Sequence, residues 1–198
     1  MKARKGQVAV YLVVAIVALA ILALLNVDTF LAVRSKNRLQ HSGDAAAIAA
    51  ARKQALLLNK IGELNIEHIK AALRNDKKKC DEIVLRQKRL ALLGPLEALK
   101  LSSDAAIANG AEVRPEFSAI LEKHVFDILD VYAGGNGESD PYPEPYPGAW
   151  LEYADTLSMQ IMEGLAAGPD NVEFYNALGN HLLLNRQFYH AIDGRNWC

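Results

Sequence analysis

Proline is absent between Val8 and Leu73, charge is absent from Val8 to Leu25, and acidic residues are scarce throughout the first half of this chain of 198 residues. Each absence excludes something. Without proline, nothing in the first third of the chain forces a helix to break. The single glycines Gly43 and Gly62 cost only about 1 kcal/mol each relative to alanine inside one. A helix running from Val8 to Lys60 would be about 80 Å long at the standard rise and would extend well beyond a bilayer. The uncharged run "VAVYLVVAIVALAILALL" covers eighteen residues, which as a helix is about 27 Å and matches a bilayer core.

The scarcity of acid divides the chain by charge. Residues 1–100 hold 18 Lys and Arg against 8 Asp and Glu, whereas residues 101–198 hold 4 against 15, so the formal net charge of -1 conceals two halves suited to different surroundings. Cysteine is limited to Cys80 and Cys198. That excludes a disulfide framework and leaves either one candidate disulfide or two unrelated thiols. No alternation of period two and no hairpin signal occurs, which excludes a sheet and gives an all-α class. The signatures of nucleophilic serine hydrolases, zinc proteases, phosphate-binding loops, dithiol redox motifs and dinucleotide-binding turns are all missing.

The apolar run is best read as an uncleaved membrane anchor. Ala18-Leu19-Ala20 has the form of a signal-peptidase site, yet "ILALL" continues the apolar run directly after it, where a mature protein usually starts polar. Beyond Asn26, Asp28 and Thr29, the residues Phe30, Leu31 and Val33 keep the helix amphipathic up to Arg34, Lys36 and Arg38, a basic edge at headgroup level. Lys2, Arg4 and Lys5 supply an equal basic edge before the run, so charge alone sets no orientation.

Further helices follow at 3.6-residue spacing. Leu57, Ile61, Leu64, Ile66, Ile69 and Leu73 form one apolar pattern, and after the polar "RNDKKKCDE" another runs to Leu93, where Gly94-Pro95 predicts a break. Phe117, Ile120, Leu121, His124 and Ile128 make a stripe behind Pro115, a favoured early helix residue. Trp150, Ala154, Leu157, Ile161 and Leu165 make another. Phe174, Leu178, Leu182, Asn185 and Tyr189 make a last one behind the capping pair Asp170 and Glu173. The Pro/Gly-rich loop 134–148 reads as a stiff connector with Tyr142 and Tyr146 packing on the domain, in preference to a docking peptide. This organisation gives a stub, membrane helix and alanine-rich helix over 1–60, then a helical domain over 61–198.

In "HSGDAAAIAAARKQ", Ser42, Ala46 and Ala50 share one helix face, while Gly43, Ala47, Ala51 and Ala55 share the next, so another backbone can approach closely. A straight alanine stalk is the alternative. The stretch "RKGQVAVYLVVAIVALAILALLNVDTF" followed by "SKNRLQHSGDAAAIAAARKQ" resembles the N-terminal segment of Tad-type (Flp) pilus-assembly proteins, the TadE/TadG-like group. The resemblance implies a bacterial inner-membrane protein that crosses once, with its stub cytoplasmic and its main domain extracytoplasmic, and with pilus or secretion-apparatus subunits as partners. It also implies a candidate processing site between Gly6 and Gln7. Pseudopilins of this group carry Glu at the fifth position after the cut; here that position is Tyr11, which resembles the uncleaved TadG-like members.

Residues with chemical potential are few. His124 with Asp127, and Glu67 beside His68, supply too few ligands for a metal, and His41, His181 and His190 stand without a pattern. Lys77, Lys78, Lys79, Arg86, Lys88 and Arg89 are interleaved with Asp76, Asp81 and Glu82 and lack aromatic companions, so a solvated face is favoured over nucleic acid or lipid binding. The expectation is a membrane-anchored assembly or scaffold protein with no catalytic residues, cofactor or nucleic-acid partner. It binds the lipid bilayer and other subunits and has a capacity for self-association. The competing expectation is a membrane-tethered ligand-binding or sensor domain, which a pocket with converging polar groups would favour.

Overall fold

The proline-free stretch forms one helix, α1, from Arg4 to Leu73 in the computed structural model, which describes residues 4–133 and 144–167. Contacts divide the chain into two units, Met1–His41 and Ser42–Cys198, so the compact unit begins earlier than the residue-60 division that composition suggests. Within the first unit, large apolar side chains from Val10 to Val33 are 52–71 % exposed, and none is covered by protein.

The second unit takes up α1 at Ser42 and adds α2 (Lys77–Ala108), α3 (Pro115–Asp127), a π-helical turn (Ile128–Tyr132) and α4 (Ala149–Glu163). No strand occurs among the described residues, whose one β-bridge joins Val113 to Ala166. The all-α expectation holds.

α1 stops at a three-residue turn. Asn75 sits at φ 54 and donates its N–H to the Ala72 carbonyl at 3.0 Å. The Asp76 N–H reaches the Ala71 carbonyl at 3.0 Å. This pair of bonds satisfies the last carbonyls of α1, and asparagine is the non-glycine residue that best tolerates the left-handed position. Asp76 then caps α2, its carboxylate accepting from the Lys79 N–H at 3.0 Å. α2 ends in the same manner, with Gly110 at φ 94 and the Ala111 N–H bonded to the Ala106 carbonyl at 2.9 Å.

The tight turn folds residues 42–73 of α1 back along α2. Lys53 pairs with Glu97 at 2.6 Å, and Asn65 Oδ1 accepts from Gln87 Nε2 at 2.6 Å. Leu57 fills the space over Gly94, where a Cβ would lie 2.8 Å from Leu57 Cδ1. Numbers rise on one helix as they fall on the other, so the two are antiparallel.

The break expected at Gly94-Pro95 does not occur: α2 runs through Pro95. Leu92, Leu93, Gly94 and Leu96 are buried while Pro95 is exposed, so packing on both sides holds the helix together and the ring points to solvent. α4 packs on both α2 and α3 around Trp150, which is 1 % exposed and meets Tyr132 edge-on at 5.3 Å between ring centroids. Phe117, Leu121 and Ile128 from the expected α3 stripe, and Ala154, Leu157 and Leu165 from the expected α4 stripe, join this core. Gln160 Nε2 ties α4 to the Leu96 carbonyl of α2 at 3.0 Å. Gly164 sits at φ 89, a conformation that favours glycine, and a Cβ there would press on Val113 at 3.1 Å.

Candidate membrane anchor and assembly surface

α1 is the helix long and apolar enough to cross a membrane among the described residues. Of the three polar side chains past the apolar run, Asn26, Asp28 and Thr29, the two neutral ones bond within the helix. Asn26 Nδ2 donates to the Leu22 carbonyl at 2.8 Å, and Thr29 Oγ1 donates to the Leu25 carbonyl at 2.7 Å. Those two groups can approach hydrocarbon without being orphaned, which would cost several kcal/mol apiece in a bilayer, while Asp28 places the end of the span near the headgroups. Gly6 and Gln7, the candidate processing site, lie in the helical backbone at the start of α1.

The small-residue segment is treated asymmetrically. Ser42 is buried, and Ala46 and Ala50 are half-buried, on the same side of α1 as Lys53, Leu57 and Leu64, the side that holds α2. Gly43, Ala47 and Ala51 are exposed, and a Cβ placed on Gly43 would touch nothing within 4 Å. The first stripe therefore serves packing inside the chain, and the second remains open.

Cys80 is half-buried beside the small cluster of Leu64, Ala71 and Ile83 and forms no disulfide among the described residues; its candidate partner Cys198 lies outside them. Tyr142, His181, His190 and the final stripe from Phe174 to Tyr189 also lie outside the described residues. Tyr146, in contrast, packs on the domain: it is buried and its hydroxyl donates to Glu152 at 2.9 Å. Burial and the neighbouring carboxylate push that hydroxyl's pKa well up, so it remains a donor across the physiological range. Glu152 also pairs with Arg89.

His124 is buried in the core, edge-on to Tyr153 at 6.3 Å between ring centroids. No group of His, Cys, Asp and Glu suited to a metal occurs among the described residues. A surface groove of about 430 Å³ runs between α1 and α2, floored by Leu64, Leu90 and Leu93 and edged by Lys60, Glu67, Arg86, Arg89 and Glu97. Three of its five charged groups are engaged by partners outside the groove. Lys60 pairs with Glu63, Glu97 with Lys53 and Arg89 with Glu152, and the Glu63 hydrogen bond raises the Lys60 pKa above its ordinary value. Such an edge gives little support to a tethered ligand-binding domain.

Signals for some of these features were in the sequence. Asn75-Asp76 after an apolar pattern marks a helix stop followed by a cap, and the Lys53–Glu97 pair has no local signal at all because its partners are far apart in the chain.

Residues 6–53 match the family model described as putative Flp pilus-assembly TadE/G-like. The matched segment is about a quarter of the chain, contains the whole apolar run and ends within the alanine-rich stretch. This match supports a role in Tad pilus assembly and association with other pilus subunits, and it describes an assembly family, not an enzymatic one. No curated protein sequence and no solved structure matches the chain.

Proposed function

We propose, taking the TadE/G-like segment at residues 6–53 as the premise, that this chain is a membrane-anchored structural component of a Tad-like pilus or related secretion apparatus. The observation that carries the reading is a coincidence of position: the family match overlies the fully exposed apolar helix. The anchor crosses the bacterial inner membrane once, with the stub in the cytoplasm and the unit from Ser42 onward outside. Residues 9–33 hold the chain in lipid, and the helical unit offers surfaces to neighbouring subunits. Its role is placement and contact, with no catalytic step and no cofactor. Gly6 and Gln7 stay joined, because Tyr11 replaces the acidic residue that processed pseudopilins carry.

Deleting the coding sequence in its host is the direct test. Loss of surface Flp-type pili, restored by the full chain and not by a variant with Leu19→Arg and Leu22→Arg, is the expected result. Normal piliation after deletion would refute the assembly role.

A further inference from the structure

α1 has a second apolar face that nothing in the described residues covers. Ile48, Ala51, Ala55, Leu58, Gly62, Ile66, Ile69 and Leu73 follow one another at steps of three or four residues, and at 3.6 residues per turn they fall within an arc of about 80°. The side facing α2, with Ser42, Lys53, Leu57 and Leu64, lies nearly opposite. Exposure along the seam is high: Ile48 69 %, Leu58 68 %, Ile66 56 %, Ile69 61 % and Leu73 80 %. At its middle, a Cβ on Gly62 would meet nothing within 4 Å. No charged residue interrupts the seam from Ile48 to Leu73. One extra four-residue step, Gly62 to Ile66, keeps it closer to the natural helix period than a strict heptad would, which suits a nearly straight pair.

The flanks select the occupant. Arg52, Asn59, Glu63 and Lys70 border one side of the seam, and Gln54, Asn65 and Ala72 border the other. In a parallel two-fold pair each flank meets the partner's opposite flank, so along residues 48–73 the charged border faces an uncharged one and no like charges meet there. In an antiparallel pair that overlaps the full seam, like flanks meet and Arg52 comes beside Lys70, which is repulsive. We propose that residues 48–73 of α1 pair in parallel with the same residues of a second copy of this chain. The parallel orientation also follows if both copies are anchored through residues 9–33, and to that extent it rests on the anchored reading above. Asp44 lies on the line of the seam just before Ile48. In a parallel pair its two copies approach each other and mark where the close contact ends; in the antiparallel pair they lie at opposite ends.

The test uses the full chain in membranes with Cys80→Ser and Cys198→Ser and one new cysteine at a time, oxidised with copper phenanthroline. Leu58→Cys and Ile66→Cys should give covalent dimers at least about tenfold faster than Glu67→Cys, which stands well away from the seam. Asp44→Asn should raise dimer yield at Leu58→Cys by about twofold. Equal rates at all three positions would overturn the proposal. So would blocked maleimide labelling of Leu58→Cys in a monomeric chain, which would mean that this chain covers its own seam. Preferential linkage between Arg52→Cys and Lys70→Cys chains mixed in one membrane would refute the parallel arrangement. As an independent measurement, the Leu58→Asp/Ile66→Asp double variant in detergent should be monomeric by light scattering with its helical circular dichroism unchanged; a persistent dimer would overturn the proposal. Since none of these readouts measures piliation, a seam that pairs in a chain dispensable for pili would refute only the assembly reading.

Discussion

Residues 10–33 and the unit that begins at Ser42 are both helical and both rich in apolar side chains, yet their burial is opposite. In the first, no large apolar residue is less than 52 % exposed; in the second, Trp150, Leu96 and Leu157 are at most 1 % exposed. The difference lies in pattern and not in composition. The first segment is apolar all round, so no single neighbouring helix could bury it, and a solvent of hydrocarbon is what its surface suits. The second places its apolar residues on stripes, and those of α2, α3 and α4 meet in a shared core. α1 itself carries the contrast further, because residues 48–73 bear one stripe facing α2 and a second facing outward.

Several substitutions would break or sharpen this comparison. The largest stability effect belongs to Trp150→Ala, which should destabilise the helical unit by about 3–5 kcal/mol through loss of the core contact with Tyr132 and the cavity left behind. Urea unfolding of the detergent-solubilised chain checks it, and a loss below 1 kcal/mol would mean that the core is organised elsewhere. Leu19→Arg should leave that unfolding transition unmoved while weakening membrane retention by about 3 kcal/mol, the cost of a cation at the centre of a membrane helix. Fractionation and unfolding together separate the two regions; a shifted transition would show that the first region is part of the core. Gly94→Leu should cost about 1–3 kcal/mol by forcing Leu57 away and prying α1 from α2. Arg89→Ala should change stability by no more than about 1 kcal/mol, because the Arg89 side chain is 63 % exposed and Glu152 keeps its bond from Tyr146.

How much of this was legible in the sequence differs between the same two regions. The long apolar helix was readable from a run without charge, and the stripes of α3 and α4 from their period, because burial there follows local spacing. The break expected at Gly94-Pro95 was wrong because a proline on the outward side of a helix costs less than losing the packing of Leu92, Leu93 and Leu96. The division of labour between the two small-residue faces could not be read at all. Ala46 and Ala47 are chemically identical, and only the position of α2 makes one half-buried and leaves the other exposed. That position is set by the Asn75 turn and by distant partners such as Glu97 and Gln87, and long-range contacts leave no periodic trace in a single sequence.

Alkaline carbonate extraction of native membranes tests the central claim most directly, because it strips peripheral proteins and leaves those held by a spanning helix. The account predicts that the intact chain stays in the membrane pellet and that the Leu19→Arg/Leu22→Arg variant moves to the supernatant. Release of the unaltered chain into the supernatant would contradict the anchor, and with it the role assigned to residues 9–33.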